Sequence, residues 1–339
     1  MPEPAITGPI EVVDYHTAGE PFRIVISGTP SLEGATVLDR RSFASEHIDS
    51  IRQLLVNEPR GHADMYGCFV TPPDDERGDL GVVFFHKDGY STACGHGTIA
   101  LVTWAVESGR IGADGPLQRV VVDAPSGRLE TTAEVRDGRV DAVSFVNVPS
   151  YVSGRQIPVQ LPNGVIGIDV AYGGAYYASV NATDLGLAVT SSNLARFIEL
   201  GREIKEALGQ SPVVDHPIDS RLSGLYGTIF FETHQSDKHA LHQRNVTIFA
   251  DGEVDRSPCG SGTSARLALL DSSADLPRGE TLVHDSIIGT RFTGRVTGDA
   301  AVAGTYAVVT EVRGSAFRTG QASFTLDPAD PIGFGFQLR

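Results

Sequence analysis

The sequence predicts an α+β protein built from two similar α/β domains, and three observations carry that expectation. The chain has 339 residues, more than one hydrophobic core usually organises. Short apolar runs of strand length recur along it, with few helical stretches between them. The motif Cys-Gly-x-Gly-Thr-x-Ala occurs once in each half, at Cys94–Ala100 and at Cys259–Ala265, and each copy opens an apolar stretch of helical character.

Taken in order, Ile10–His16 and Phe22–Ile26 read as strands, because β-branched and aromatic residues fit a pleated, half-buried surface. A helix is predicted around Phe43–Val56 and a strand at Leu80–His86. The first motif then leads into a helix over Ile99–Val106, followed by strands at Val120–Asp123 and Ala142–Val148. Pro, Ser and Gly cluster at Pro149–Gly154, which predicts the domain boundary. The second half offers strands at Val165–Val170 and Tyr176–Val180. A helix at Asn193–Leu208 follows from Leu194, Phe197, Ile198, Ile204 and Leu208 at near-helical spacing. Strands are predicted at Gly227–Glu232 and Val246–Ala250, a helix at Ala265–Leu270, and strands at Leu282–His284, Arg291–Thr297, Ala301–Val312 and Ala322–Leu326. The polar segment Thr233–Arg244, with His234, His239 and His242, reads as a solvated loop whose spacing matches no usual zinc pattern. Both halves follow one order: strands, a Cys-Gly turn, an apolar helix, more strands. That order points to a duplication.

Hydrophobic residues make up 41% and charged residues 20% of the chain, and the formal charge is −15. These values fit a globular protein and argue against nucleic acid, which needs clustered Lys and Arg. Met1–Glu11 lacks a basic start followed by an apolar core, and no apolar run approaches membrane-spanning length. A cytoplasmic protein without a membrane partner is therefore expected. Three cysteines are too few for a disulfide scaffold, so the thiols are expected to be free.

A helix N-terminus favours a thiolate. The effect is worth roughly 0.3–2 kcal/mol, enough to bring a thiol of pKa about 8.5 toward neutrality. It does not suffice to remove a weakly acidic C–H proton. The backbone N–H groups of Gly95, His96, Gly260 and Ser261, at the same helix starts, would supply the rest by binding an anion such as a substrate carboxylate. With the carboxylate held, one thiolate takes the α-proton from one face while the opposite thiol delivers another. Two groups of similar basicity are required, since each serves as acid in one direction and base in the other. No cofactor and no metal are called for; a zinc site of Cys94, His96 and Cys259 would need an unusual Cys-x-His spacing. Cys68 lacks the motif and reads as core.

Four segments carry a resemblance: Asp255–Ala265 (Asp-Arg-Ser-Pro-Cys-Gly-Ser-Gly-Thr-Ser-Ala), Ala93–Thr98, Glu58–Gly67 and His16–Pro21. Together with Asp169–Gly174 they resemble the proline racemase family, which includes proline racemases, 4-hydroxyproline 2-epimerases and trans-3-hydroxyproline dehydratases. The resemblance implies a diaminopimelate-epimerase-like fold: two domains, each a curved, mainly antiparallel sheet around a central helix, with the active site in the interdomain cleft. The domains are expected at 1–148, completed by 318–339, and at 149–317, and the protein is expected to be a homodimer. The resemblance implies Cys94 and Cys259 as the catalytic pair, with Gly95, His96, Gly260 and Ser261 on the carboxylate. Asp255, with the His96 side chain, would receive the ring ammonium, and Tyr66 and Phe249 would wall the ring.

Departures bear on the substrate. Proline racemases usually have Phe where Tyr66 stands, and a phenol suits a hydroxylated ring. Gly89–Thr92 and Gly173–Tyr177 resemble the 3-hydroxyproline dehydratases, which usually carry Thr in place of the second cysteine. The resulting expectation is a cofactor-independent racemase or 2-epimerase of proline or a hydroxyproline, with trans-3-hydroxyproline dehydration as the alternative. Diaminopimelate epimerase activity fits Arg256-Ser257-Pro258 poorly. A binding protein without turnover is opposed by the presence of both thiols.

Overall fold

In the computed structural model, which describes residues 6, 8–162, 164–234 and 239–338, the chain divides into two units, Met1–Val143 with Ser315–Arg339 and Ser144–Gly314. The first changeover falls inside a strand. The cluster Pro149–Gly154, predicted as the domain boundary, lies a few residues further on, within the second unit: Ser150 exchanges backbone hydrogen bonds with Val308 at 2.9 and 2.8 Å, and a strand starts at Tyr151. Pro and Gly marked this stretch as a break, yet the second unit pairs it.

The first unit opens with β1 (Ile10–Thr17) and β2 (Glu20–Ser27), an antiparallel pair. Their two-residue turn places Ala18 and Gly19 at φ 52° and 93°, as a tight hairpin demands. Helix α1 (Val37–His47) starts at a capping box, in which Thr36 accepts from the Asp39 N–H and Asp39 accepts from the Thr36 N–H. Helix α2 (Asp49–Val56) follows after a break at Ile48, φ −135°. One helix was predicted here; the break lets Ile48, Ile51, Leu54 and Leu55 enter the same core as Val37 and Ala44. Strand β3 (Tyr66–Thr71) runs parallel to β2 and antiparallel to β4 (Leu80–His86), and the short β5 (Gly89–Tyr90) folds back on β4. Then come α3 (Gly95–Glu107), β6 (Leu117–Ala124) parallel to β4, β7 (Gly127–Arg136) antiparallel to β6, and β8 (Arg139–Val146).

The second unit contains β9 (Tyr151–Leu161), β10 (Gly164–Tyr172), β11 (Tyr176–Asn181), α4 (Leu194–Leu208), β12 (Leu225–Thr233) and β13 (Ala240–Phe249). The predicted loop Thr233–Arg244 is largely strand, with Gln243 opposite Thr233 and Arg244 opposite Glu232. Its polar residues lie on a paired ribbon, and 235–238 fall outside the described residues. After β14 (Glu253–Asp255) come α5 (Gly260–Ser273), β15 (Thr281–Ser286), β16 (Arg291–Val302) and β17 (Thr305–Gly314). A turn at Ala303 and Gly304, both at positive φ, divides the run predicted as one strand from Ala301 to Val312. The last strand, β18 (Ala316–Phe324), pairs with β1 and so returns to the first unit.

The two units repeat one pairing scheme. In the first, β18–β1 and β1–β2 are antiparallel, β2–β3 parallel, β3–β4 and β4–β5 antiparallel, β4–β6 parallel and β6–β7 antiparallel. In the second, β9–β10–β11–β12–β13, with β14, β15 and β16, repeat that succession. Each sheet curves around a helix that is buried on all sides over most of its length. Helix α3, buried from Gly95 to Val106, touches β1, β2, β6, β7 and β18; α5, buried from Gly260 to Leu270, touches β9, β10, β11, β16 and β17. This is the α+β architecture, mainly antiparallel around central helices, that the sequence predicts. No helix among the described residues is long and apolar enough to cross a membrane.

Candidate active site

Each central helix begins at a cysteine of the repeated motif, directly after the short strand β5 or β14. In the first unit Cys94 is the N-cap of α3, with extended backbone (φ −153°), and its sulfur accepts the Gly97 N–H at 3.2 Å. The His96 ring lies against that sulfur, with Nε2 at 3.4 Å and Nδ1 at 3.6 Å. Edge contacts from Tyr66 (4.9 Å between ring centroids) and Phe22 (5.7 Å) fix the ring. The Tyr66 phenol is tied to the Ser91 hydroxyl by a short hydrogen bond. Thr17 donates to the His96 carbonyl at 2.8 Å, anchoring the helix start to β1. Cys94, His96, Tyr66 and Ser91 are all buried. Cys68 is fully buried on β3, and burial pushes its thiol up.

In the second unit Cys259 precedes α5 at φ +63°, a left-handed conformation that costs a non-glycine residue about 1–3 kcal/mol. A chain of buried hydrogen bonds holds it there. The Thr263 hydroxyl donates to the Cys259 carbonyl at 2.8 Å and contacts His284 Nδ1 at 2.8 Å. His284 Nε2 faces Asn245 Nδ2 at 2.7 Å, and the same amide donates to the Pro258 carbonyl at 3.1 Å. Burial pushes His284 down to about 3, so the ring is neutral. Asn245 donates to Nε2, which leaves the proton on Nδ1 to donate to Thr263. Thr98 makes the bond to the Cys94 carbonyl that Thr263 makes to Cys259, also at 2.8 Å, which gives the motif threonine one role in both copies.

The second glycine of the motif is also explained. A Cβ on Gly97 would lie 2.7 Å from the Cys94 sulfur and 2.4 Å from Phe22 Cε2; on Gly262 it would lie 2.9 Å from the Cys259 sulfur. Gly97→Ala should therefore lower activity at least about 100-fold and destabilise the protein by about 1–3 kcal/mol, although alanine is the better helix former by about 1 kcal/mol. Kinetics and thermal melts check both. Near-wild-type turnover would show that the sulfur has no fixed place.

The two thiols do not have the matching environments that the repeated motif predicts. The Cys259 thiol meets the Tyr177 hydroxyl at 3.6 Å, and that hydroxyl bonds Ser261 Oγ at 2.7 Å. Asp255, at the end of β14, accepts the Ser257 N–H at 2.8 Å, and Ser257 Oγ accepts the Cys259 N–H at 3.1 Å. Burial, and after it the nearby Asp255 carboxylate, push the Cys259 thiol well up. The predicted poise near neutrality does not hold for this thiol in the free protein, because desolvation outweighs the helix start. Burial likewise pushes Asp255 up to about 6.

Among the residues singled out from the sequence, Cys94, Gly95, His96 and Tyr66 lie together in the first unit, and Cys259, Gly260, Ser261 and Asp255 in the second. Phe249 joins the latter through Tyr226, which stacks on it at 5.6 Å and meets the Tyr177 ring edge-on at 5.7 Å. Sequence reasoning missed Ser91, Tyr177, Ser257, Asn245 and His284. Ser91 and Tyr177 sat inside segments already noted for their resemblance; Asn245 and His284 gave no local signal.

The model of the family described as proline racemase matches residues 12–337. The chain belongs to the proline racemase family. Within the proline racemase family it is 43% identical over 326 residues to a trans-3-hydroxy-L-proline dehydratase of Bacillus cereus, covering 96% of this chain and 97% of that one. It is 44% identical over 335 residues to a 3-hydroxyproline 2-epimerase of Burkholderia multivorans, covering 98% and 99%. Among solved structures, a hydroxyproline epimerase from Agrobacterium vitis with bound trans-4-hydroxy-L-proline superposes with a TM-score of 0.91 at 32% identity, covering 98% of this chain and 96% of that one. The fold is the diaminopimelate-epimerase-like one, and the chain is an enzyme of the proline racemase family.

Proposed function

We propose that the protein is a cofactor-independent 2-epimerase of a hydroxyproline, with 3-hydroxyproline as the favoured substrate, acting as a cytoplasmic homodimer. The observation that carries this reading is the presence of a buried thiol at the start of both central helices, Cys94 on α3 and Cys259 on α5. In this reading the substrate carboxylate is held by the first-turn N–H groups of Gly95, His96, Gly260 and Ser261, which have no acceptor within their own helices. The ring ammonium pairs with Asp255, beside the His96 ring, and Tyr66 and Phe249 flank the ring. One sulfur takes the α-proton and becomes a thiol, and the electron pair left on carbon is delocalised into the carboxylate. The opposite thiol then gives its proton to the other face and becomes the thiolate. Each thiol is the base toward one stereoisomer and the acid toward the other, so the roles of Cys94 and Cys259 exchange with the direction of reaction.

The hydroxylated ring is supported by the Tyr66–Ser91 and Tyr177–Ser261 hydroxyl pairs and by the names of the two relatives. A second reading, loss of water from trans-3-hydroxy-L-proline, is favoured by the Bacillus cereus relative. Incubation with each isomer of proline, 3-hydroxyproline and 4-hydroxyproline in deuterated water separates the two. Deuterium at the α-carbon together with the opposite stereoisomer is the expected result. Exclusive formation of the cyclic imine would replace epimerisation with dehydration, and no reaction with any isomer would remove both.

A further inference from the structure

Helix α5 carries a second chemically unusual group, two turns beyond Cys259. Arg266 is 5% exposed, and its guanidinium lies 3.7 Å over the Phe231 ring. Its Nε and Nη2 reach a single acceptor, the amide oxygen of Gln243, both at a long 3.4 Å. Among the described residues no carboxylate lies within ion-pair distance of it. A guanidinium has five N–H donors and stays charged at neutral pH, and burying a charge without a partner is among the costlier arrangements in a protein. Burial pushes this guanidinium down to about 10.

The arginine opens onto a cavity of about 400 Å³ between α5 and strands β9, β10, β12 and β13. That volume is at the lower end of those that hold small ligands. The other charged groups of the wall have partners: Arg155 pairs with Asp169 at 3.0 Å and donates to the Leu269 carbonyl at 2.6 Å, and Asp275 accepts from Ser273 at 2.6 Å. The helix end contributes about half a negative charge, which the bond from Arg155 to Leu269 offsets. What Arg266 lacks is a carboxylate at ion-pair distance, its one acceptor being the neutral Gln243 amide at 3.4 Å, and planar two-oxygen acceptors suit a guanidinium fork best.

We propose that this cavity binds a small mono- or dicarboxylate, seated bidentately on Arg266. The site is built from the second unit alone, lies along the later turns of α5 while Cys259 precedes its first, and does not depend on which reaction the thiols perform.

The test is a thermal shift of the whole protein with acetate and with succinate, against sodium chloride and sodium sulfate at equal ionic strength. A carboxylate that binds only the folded protein should raise Tm by about 3 °C or more, beyond any rise that chloride or sulfate gives. Arg266→Met should lose the carboxylate-specific rise; an apolar residue of similar length is tolerated in place of a lone buried charge, so this variant should fold with an unchanged or higher Tm in chloride. Leu241→Trp, which fills the cavity and leaves the arginine in place, should lose the same rise and covers the case in which Arg266→Met fails to fold. No carboxylate-specific rise in the wild type, or an equal rise in the folded variants, overturns the proposal. Neither substitution touches a thiol or a first-turn N–H, so a negative result here leaves the epimerase reading standing, and the reverse.

Discussion

Replacing Cys259 by serine is expected to abolish interconversion of stereoisomers, lowering the rate at least about 1,000-fold, while leaving hydrogen exchange from one isomer intact. With only the Cys94 thiolate active, the isomer presenting its α-proton to that sulfur is deprotonated and then reprotonated from the same face, so deuterium enters without inversion. Cys94→Ser should show the mirror behaviour with the opposite isomer. This pairing separates catalytic loss from misfolding, because each variant keeps half of the exchange chemistry. Exchange from both isomers in either variant would show that one group serves both faces. The alternative activity has its own signature: a dehydratase needs one base at the α-carbon, so Cys259→Ser would keep water loss from trans-3-hydroxyproline largely intact.

Asp255→Asn is expected to make the protein more stable and far less active. Burial raises the Asp255 carboxyl from 3.8 to about 6. The folded protein therefore holds this proton more tightly than the unfolded chain does, and the stability contributed by this group falls as pH rises from about 4 to about 6. The difference amounts to about 3 kcal/mol at neutral pH and vanishes below pH 4. A neutral amide escapes that loss, so melts should show the variant about 1–3 kcal/mol more stable at pH 8 and equal to wild type at pH 4. In catalysis the signs reverse, since the ring ammonium loses its counter-charge and KM should rise at least about 10-fold. The wild-type kcat/KM should also fall as pH drops through about 6, and the variant should lack that limb. A variant destabilised at pH 8 would mean that Asp255 is not carrying a buried charge.

The parts of this protein that could be read from the sequence are those whose signal is local. The two thiols at helix starts were legible because a seven-residue motif repeats and because Ile99–Val106 and Ala265–Leu270 are mostly apolar. Strand β7 was missed because Gly127–Arg136 presents Glu and Thr on alternating, half-exposed positions. Strand β9 was missed because Gly154 and Pro158 lie within it and both weaken a strand reading. The inequality of the thiols was not legible at all. It arises from Asn245, His284 and Tyr177, which reach Cys259 or its peptide only through long-range pairing of β11, β13 and β15. A duplicated motif thus predicted duplicated chemistry, whereas the surroundings of the two copies have diverged.

Strand β18 has a bearing on how the chain is made. It supplies to β1 the antiparallel neighbour that β9 supplies to β10, but from the far end of the polypeptide. On a ribosome moving at 5–20 residues per second, about 300 residues separate the emergence of β1 from that of its partner, a delay of roughly 15–60 s. The intervening unit has all of its own strands in hand before then, so it can consolidate first, while the earlier-made half waits with an open hydrogen-bonding edge.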